Sequence, residues 1–141
     1  MNQFVVDSSI AVKWFFTEEY TDASLKILDP EIEMHVPSIF FLEIDSIICK
    51  KIRRKEISNQ ESQKVRNGIR EMPFYVHSFE DVLEPAYQIA IQTGASIYDC
   101  IFLAIALIGN YVMVTANRRF LECIQKSQYL RHIVWIDDLE L

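Results

Sequence analysis

Short apolar runs alternate along this chain with longer segments of helical periodicity. Phe4-Val5-Val6 reads as a buried strand, and the turn at Asp7-Ser8-Ser9 leads into a short helix through Trp14. A second helix is expected from about Asp22 to Leu28, closed by Asp29-Pro30, followed by a brief strand at His35-Val36 that Pro37 stops. Ser38 is placed to cap a long helix through about Arg54, and Ser58 to cap another through about Arg70. Phe74 to His77 is the third strand. A helix from about Glu80 to Thr93 should end at Gly94, with Pro85 accommodated in its first turn. Ser96 to Ile108 predicts a strongly apolar helix ending at Gly109. Tyr111 to Val114 and Ile133 to Ile136 are the last strands, with a helix from about Arg118 to Lys126 between them.

Strands this short and apolar, separated by helices, predict an α/β fold with a parallel sheet covered on both faces. In such sheets ligands bind beyond the carboxyl ends of the strands, where the strand order reverses. That rule directs attention to Asp7 and to the residues after Val114.

Composition narrows the picture. The 141 residues suit one domain (1–141), half of them hydrophobic and 24% charged, the balance of a globular protein. No apolar run is long enough to span a bilayer, and the start, Met-Asn-Gln-Phe-Val-Val-Asp, lacks the features of a signal peptide, so a cytoplasmic protein is expected. Cys49, Cys100 and Cys123 are far apart, form no Cys-x-x-Cys pair, and are expected to be buried or half-buried rather than zinc ligands. The net charge of −6 argues against a protein coated in positive charge for nucleic acid. The bases are uneven, however: Lys50, Lys51, Arg53, Arg54 and Lys55 fall within six residues. They suit either a solvated helix end or the steering of a polyanion.

Three acids stand where simple structural roles fit poorly. Asp7 follows the first strand directly, Glu43 sits in the apolar stretch Ile39 to Ile44, and Asp99 opens an apolar helix. An unpaired carboxylate is costly to bury. Each has a structural alternative: Asp7 as a helix cap, Asp99 in a capping box with Ser96, Glu43 in a salt bridge. Taken together they point to a carboxylate pocket whose mutual repulsion a divalent cation would relieve.

Four blocks carrying these acids resemble the PIN domain family, especially VapC-type toxins of toxin–antitoxin pairs. They are Phe4 to Phe15, Val36 to Ile44, Ser96 to Ala104, and Val114 to Phe120, in the family's order across nearly the whole chain. The resemblance implies a three-layer α/β/α sandwich around a parallel sheet of about five strands in the order 3-2-1-4-5. It implies cleavage of RNA with Mg²⁺ or Mn²⁺, homodimers, and a small antitoxin that blocks the pocket. Asp7, Glu43 and Asp99 match the family's first three acids, Ser9 the polar residue supporting the first, and Thr115 the threonine before the fourth. Asn117 stands where the family usually has an aspartate. Asp45, about 200° around the helix from Glu43, is not expected to replace that acid.

On this reading Asp7 and Asp99 hold the metal, and Glu43 completes the shell or accepts a proton from the attacking water. Asn117 binds a metal water or caps the next helix. Arg118 and Arg119 reach substrate phosphate or start a solvated helix. Lys50, Lys51 and Arg54 steer RNA from along the Glu43 helix, Arg54 from about 16 Å away, or meet an antitoxin, or nothing. The competing reading is a degenerate PIN domain that binds RNA or protein without cutting. A phosphoacceptor receiver domain would need a lysine beyond the last strand, where Asp137-Asp138 stand instead. His35, His77 and His132 are read as structural.

Overall fold

The computed structural model describes residues 2–141. Five strands, β1 (Asn2–Val6), β2 (Ile32–Pro37), β3 (Phe74–His77), β4 (Val112–Thr115) and β5 (Ile133–Trp135), form one parallel sheet in the order β3-β2-β1-β4-β5. Seven α-helices connect them: α1 (Ser8–Ala11), α2 (Thr21–Leu25), α3 (Phe40–Arg53), α4 (Asn59–Glu71), α5 (Leu83–Thr93), α6 (Ile97–Gly109) and α7 (Arg118–Ile124).

Phe4, Val5 and Val6 are all buried, because β1 has a neighbour on each side and helices over the sheet. The helix α6 is apolar on every face, and Cys100 through Ala106 are buried against β1, β2 and β4 beneath α5. On β3, an edge strand, Tyr75 and Val76 stay exposed. The strand order reverses at β1, whose two partners are β2 and β4. The chain ends leaving β1 and β4 therefore meet at one rim, and Asp7 and Thr115 both lie there.

Local chemistry sets the helix ends in ways that partly depart from expectation. Ser58 caps α4 through a full capping box with Glu61. Ser38 caps nothing: α3 starts one residue after Ile39, and the Ser38 hydroxyl accepts instead from the N–H of Phe79 at 3.1 Å, tying the exits of β2 and β3. Asn110, not Gly109, takes the left-handed conformation that ends α6, at φ 56°. Gly109 is needed for space, since a Cβ there would lie 2.1 Å from the ring of Tyr111. Gly94 ends α5 with φ 75°, and Pro85 sits in the first turn, as expected. The α2 helix is shorter than its pattern, and β2 extends back to Ile32 because β1 pairs with it from that residue on, with β3 joining from Met34. Cys49, contrary to expectation, is exposed, on the side of α3 facing α4, whereas Cys100 is buried and Cys123 half-buried.

Candidate carboxylate site

The turn after β1 delivers Asp7 to the rim of the sheet, 3% exposed. Although Asp7 occupies the N-cap position of α1, its side chain makes no capping hydrogen bond. Its Oδ2 accepts instead from Thr115 Oγ1 at 2.7 Å and from Ser9 Oγ at 3.0 Å. These two hydroxyls in turn accept the N–H groups of Asn117 (3.0 Å) and Ala116 (3.1 Å). The loop leaving β4 thus fixes the donors, and the donors fix the carboxylate.

Glu43, in the first turn of α3, approaches from the other side. Ser8 Oγ lies between the two acids, 3.5 Å from Asp7 Oδ1 and 3.3 Å from Glu43 Oε1, and its single proton serves one at a time. Asp99 opens α6. Ser96 stands at its N-cap without a side-chain hydrogen bond, so the capping-box alternative does not form.

The electrostatics couple the three. Burial, offset in part by the hydrogen bonds from Thr115 and Ser9, raises the pKa of Asp7. Glu43 is pushed up to about 7, by burial first and then by the charges of Asp7 and Asp99. Asp99 is raised to about 6 by burial and by Asp7. Among the described residues no base neutralises them: the ion pairs are Lys13–Glu18, Lys51–Glu18, Arg66–Asp45 and the contact of His35 with Glu33. Three oxygen-donor acids that repel one another without a counter-charge fit a hard divalent cation. Among the described residues no three such side chains already stand at ion-enclosing spacing, so the trio is gathered but open.

The remaining candidates divide. Asn117 is the N-cap of α7, its Oδ1 accepting from Phe120 N at 3.2 Å. It also lines a cavity of about 540 Å³ together with Asp99 and Arg119. The cap uses one lone pair of that oxygen, so Asn117 can still offer the site its second lone pair and its amide N–H groups. Arg118 is turned away from this role, its guanidinium lying over the Trp135 ring at 4.0 Å. Lys51 is likewise engaged, 3.7 Å from Glu18 and 4.5 Å from the centre of the Phe16 ring, which removes it from the expected substrate patch. Lys50 and Arg54 are exposed at the far end of α3. Asp45 makes a paired hydrogen bond to Arg66 at 2.8 and 3.0 Å, away from Glu43.

Ser8, the hydroxyl between two of the acids, was not singled out by sequence. Its place beside Ser9 in Asp7-Ser8-Ser9 was the available signal, and only the position of α3 distinguishes the two roles.

A family model described as PIN domain matches residues 4–123. Ribonuclease VapC3 of Pyrobaculum aerophilum is 24% identical over 122 residues, covering 85% of this chain and 93% of that protein. A solved structure described as a toxin-antitoxin complex from Klebsiella pneumoniae matches with a TM-score of 0.65 at 15% identity, over 97% of this chain and 98% of the other. VapBC2 from Rickettsia felis, bound to a DNA fragment from their promoter, gives a TM-score of 0.62 at 16% identity, over 94% and 98%. At these identities the structural matches speak to the fold.

Proposed function

This chain belongs to the PIN domain family, and from that footing we propose that it is a Mg²⁺- or Mn²⁺-dependent endoribonuclease, the toxin of a toxin–antitoxin pair. The observation that carries the reading is the unneutralised trio Asp7, Glu43 and Asp99 at the point where strand order reverses. The relative named Ribonuclease VapC3 and the toxin–antitoxin assemblies of like fold support RNA as substrate and a small antitoxin as partner. We place the enzyme in the cytoplasm as a single-domain homodimer.

Asp7, Asp99 and Glu43 would hold the ion. When bound, it supplies positive charge for the phosphoryl oxygens and lowers the pKa of a water. The protein's own groups do the rest. Ser9 and Thr115 keep Asp7 oriented and favour its ionised form. Glu43, with a pKa near neutrality, is suited to take a proton from the attacking water and pass it on.

The test is cleavage of single-stranded RNA by the purified chain, freed of any antitoxin, with EDTA as the control. Asp7→Asn and Asp99→Asn should each lower the rate at least roughly 100-fold. Cleavage that ignores both the chelator and the substitutions overturns the proposal.

A further inference from the structure

We infer that the cavity between Asp99 and Arg119 receives the RNA nucleotide beside the bond being cut, with Arg119 holding its phosphate; this rests on the ribonuclease reading above. The cavity, about 540 Å³, falls within the roughly 300–1,000 Å³ typical of small-ligand sites. Asp99 forms one wall, so whatever enters lies directly beside the carboxylate trio. Cys123, half-buried, gives the lining a small apolar patch, backed by the buried Ala95 and Phe120. The rim offers donors. The Ser96 hydroxyl is not spent on a helix cap, Asn117 keeps its amide N–H donors, and the exposed Arg119 joins no ion pair among the described residues. Donors of this kind match phosphate oxygens and base carbonyls. At Gly94 an added Cβ would meet nothing within 4 Å, so the chain at the cavity's edge leaves it open.

Two comparisons single out this place. Arg118, the neighbouring cation, is stacked on Trp135 and is not available in the same way. A larger cavity of about 880 Å³ lies at the opposite end of the sheet, but its charged lining residues are Glu31 and Glu33, which would repel a polyanion.

The cysteines supply a direct readout. Cys123 lines the cavity, Cys49 is exposed on α3, and Cys100 is buried. The whole protein with Mg²⁺ is titrated with a single-stranded RNA oligonucleotide carrying hydrolysis-resistant phosphorothioate linkages, and iodoacetamide labelling of each cysteine is followed by mass spectrometry. Bound RNA should slow alkylation of Cys123 several-fold. Arg119→Ala should weaken binding roughly tenfold, as expected for a charged hydrogen bond. It should also reduce the slope of log K against log salt by about 0.7, the single-strand value for one phosphate contact, and Arg119→Lys should keep that slope. Cys123 alkylated at the free rate in saturating RNA, or an Arg119→Ala salt slope equal to wild type, overturns the assignment even if RNA is still bound and cut. Absence of any RNA binding or cleavage by the wild type overturns this assignment and the ribonuclease reading together.

Discussion

Thr115 donates a 2.7 Å hydrogen bond to Asp7 across 108 residues of sequence, joining the exits of two neighbouring strands. The same hydroxyl accepts the N–H of Asn117, so one atom sets both the carboxylate and the turn that presents Asn117. Thr115→Val keeps the shape and removes both bonds. Losing such a supporting partner typically costs 10–100-fold in metal affinity or activity. We expect a loss in that range, with Thr115→Ser largely restoring it. Calorimetric Mn²⁺ titration beside cleavage rates measures this, and equal losses in both substitutions would count against a hydroxyl role.

Asn117 brings no charge where the family usually has an acid, and its oxygen caps α7. In Asn117→Asp one oxygen can keep the cap while the other faces the trio. Attraction for a divalent ion grows with ligand charge, so half-maximal metal concentration should fall by roughly tenfold, about 1.4 kcal/mol. Metal titrations of both proteins decide the matter. A wild type that is inert beside an active variant would favour a non-catalytic RNA-binding role.

Glu43 and Asp99 have raised pKa values in the fold, about 7 and about 6 against ordinary values of 4.5 and 3.8. Between those limits the unfolded chain releases its protons first. Their stabilising contribution is complete below about pH 4 and is lost as pH rises to 7. In EDTA, raising the pH from 5 to 7.5 should therefore lower the melting temperature by more in wild type than in Glu43→Gln, the difference being on the order of 5 °C. Mn²⁺ should raise the wild-type value more at pH 7.5 than at pH 5, because the ion competes with protons. Melting curves at both pH values test the sign.

His35 responds in the opposite sense. Its ring lies between Tyr75 and Tyr111, its Nδ1 is 2.9 Å from His77 Nε2, and its Nε2 is buried without a hydrogen-bond partner, 3.8 Å from Glu33. Burial, then the charge of His77, lowers its pKa below the ordinary 6.5, against the opposing pull of Glu33. Below pH 6.5 the unfolded chain takes up the proton first, so this site loses stability as pH falls. His35→Phe should be more stable than wild type at pH 5, by about 1 kcal/mol, with the gap narrowing at pH 7.5. Urea unfolding at the two pH values gives the comparison.

The strands were legible because buried parallel strands are continuous apolar runs, and Asp7, Glu43 and Asp99 stand out as candidates because an acid is conspicuous beside such runs. Helix ends were less so. Ser38 and Ser96 carry the right chemistry for caps, yet Ser38 is taken by Phe79 and Ser96 is left free, outcomes that depend on elements distant in sequence. Arg118 and Arg119 look alike on paper, and only the position of Trp135 separates them. The tie of Lys51 to Glu18 and Phe16 was hidden for the same reason.

The reach from Asp7 to Thr115 also has a meaning in time. A ribosome adding roughly 5–20 residues per second needs on the order of ten seconds to pass from one to the other. Through that interval the nascent chain carries Asp7 without the strand that completes its hydrogen bonds, and Asp99 itself emerges late. The carboxylate centre is therefore among the last features to assemble. A chain abandoned before β4 would carry Asp7 and Glu43, and Asp99 if it ran that far, without the Thr115 hydroxyl that orients the first of them.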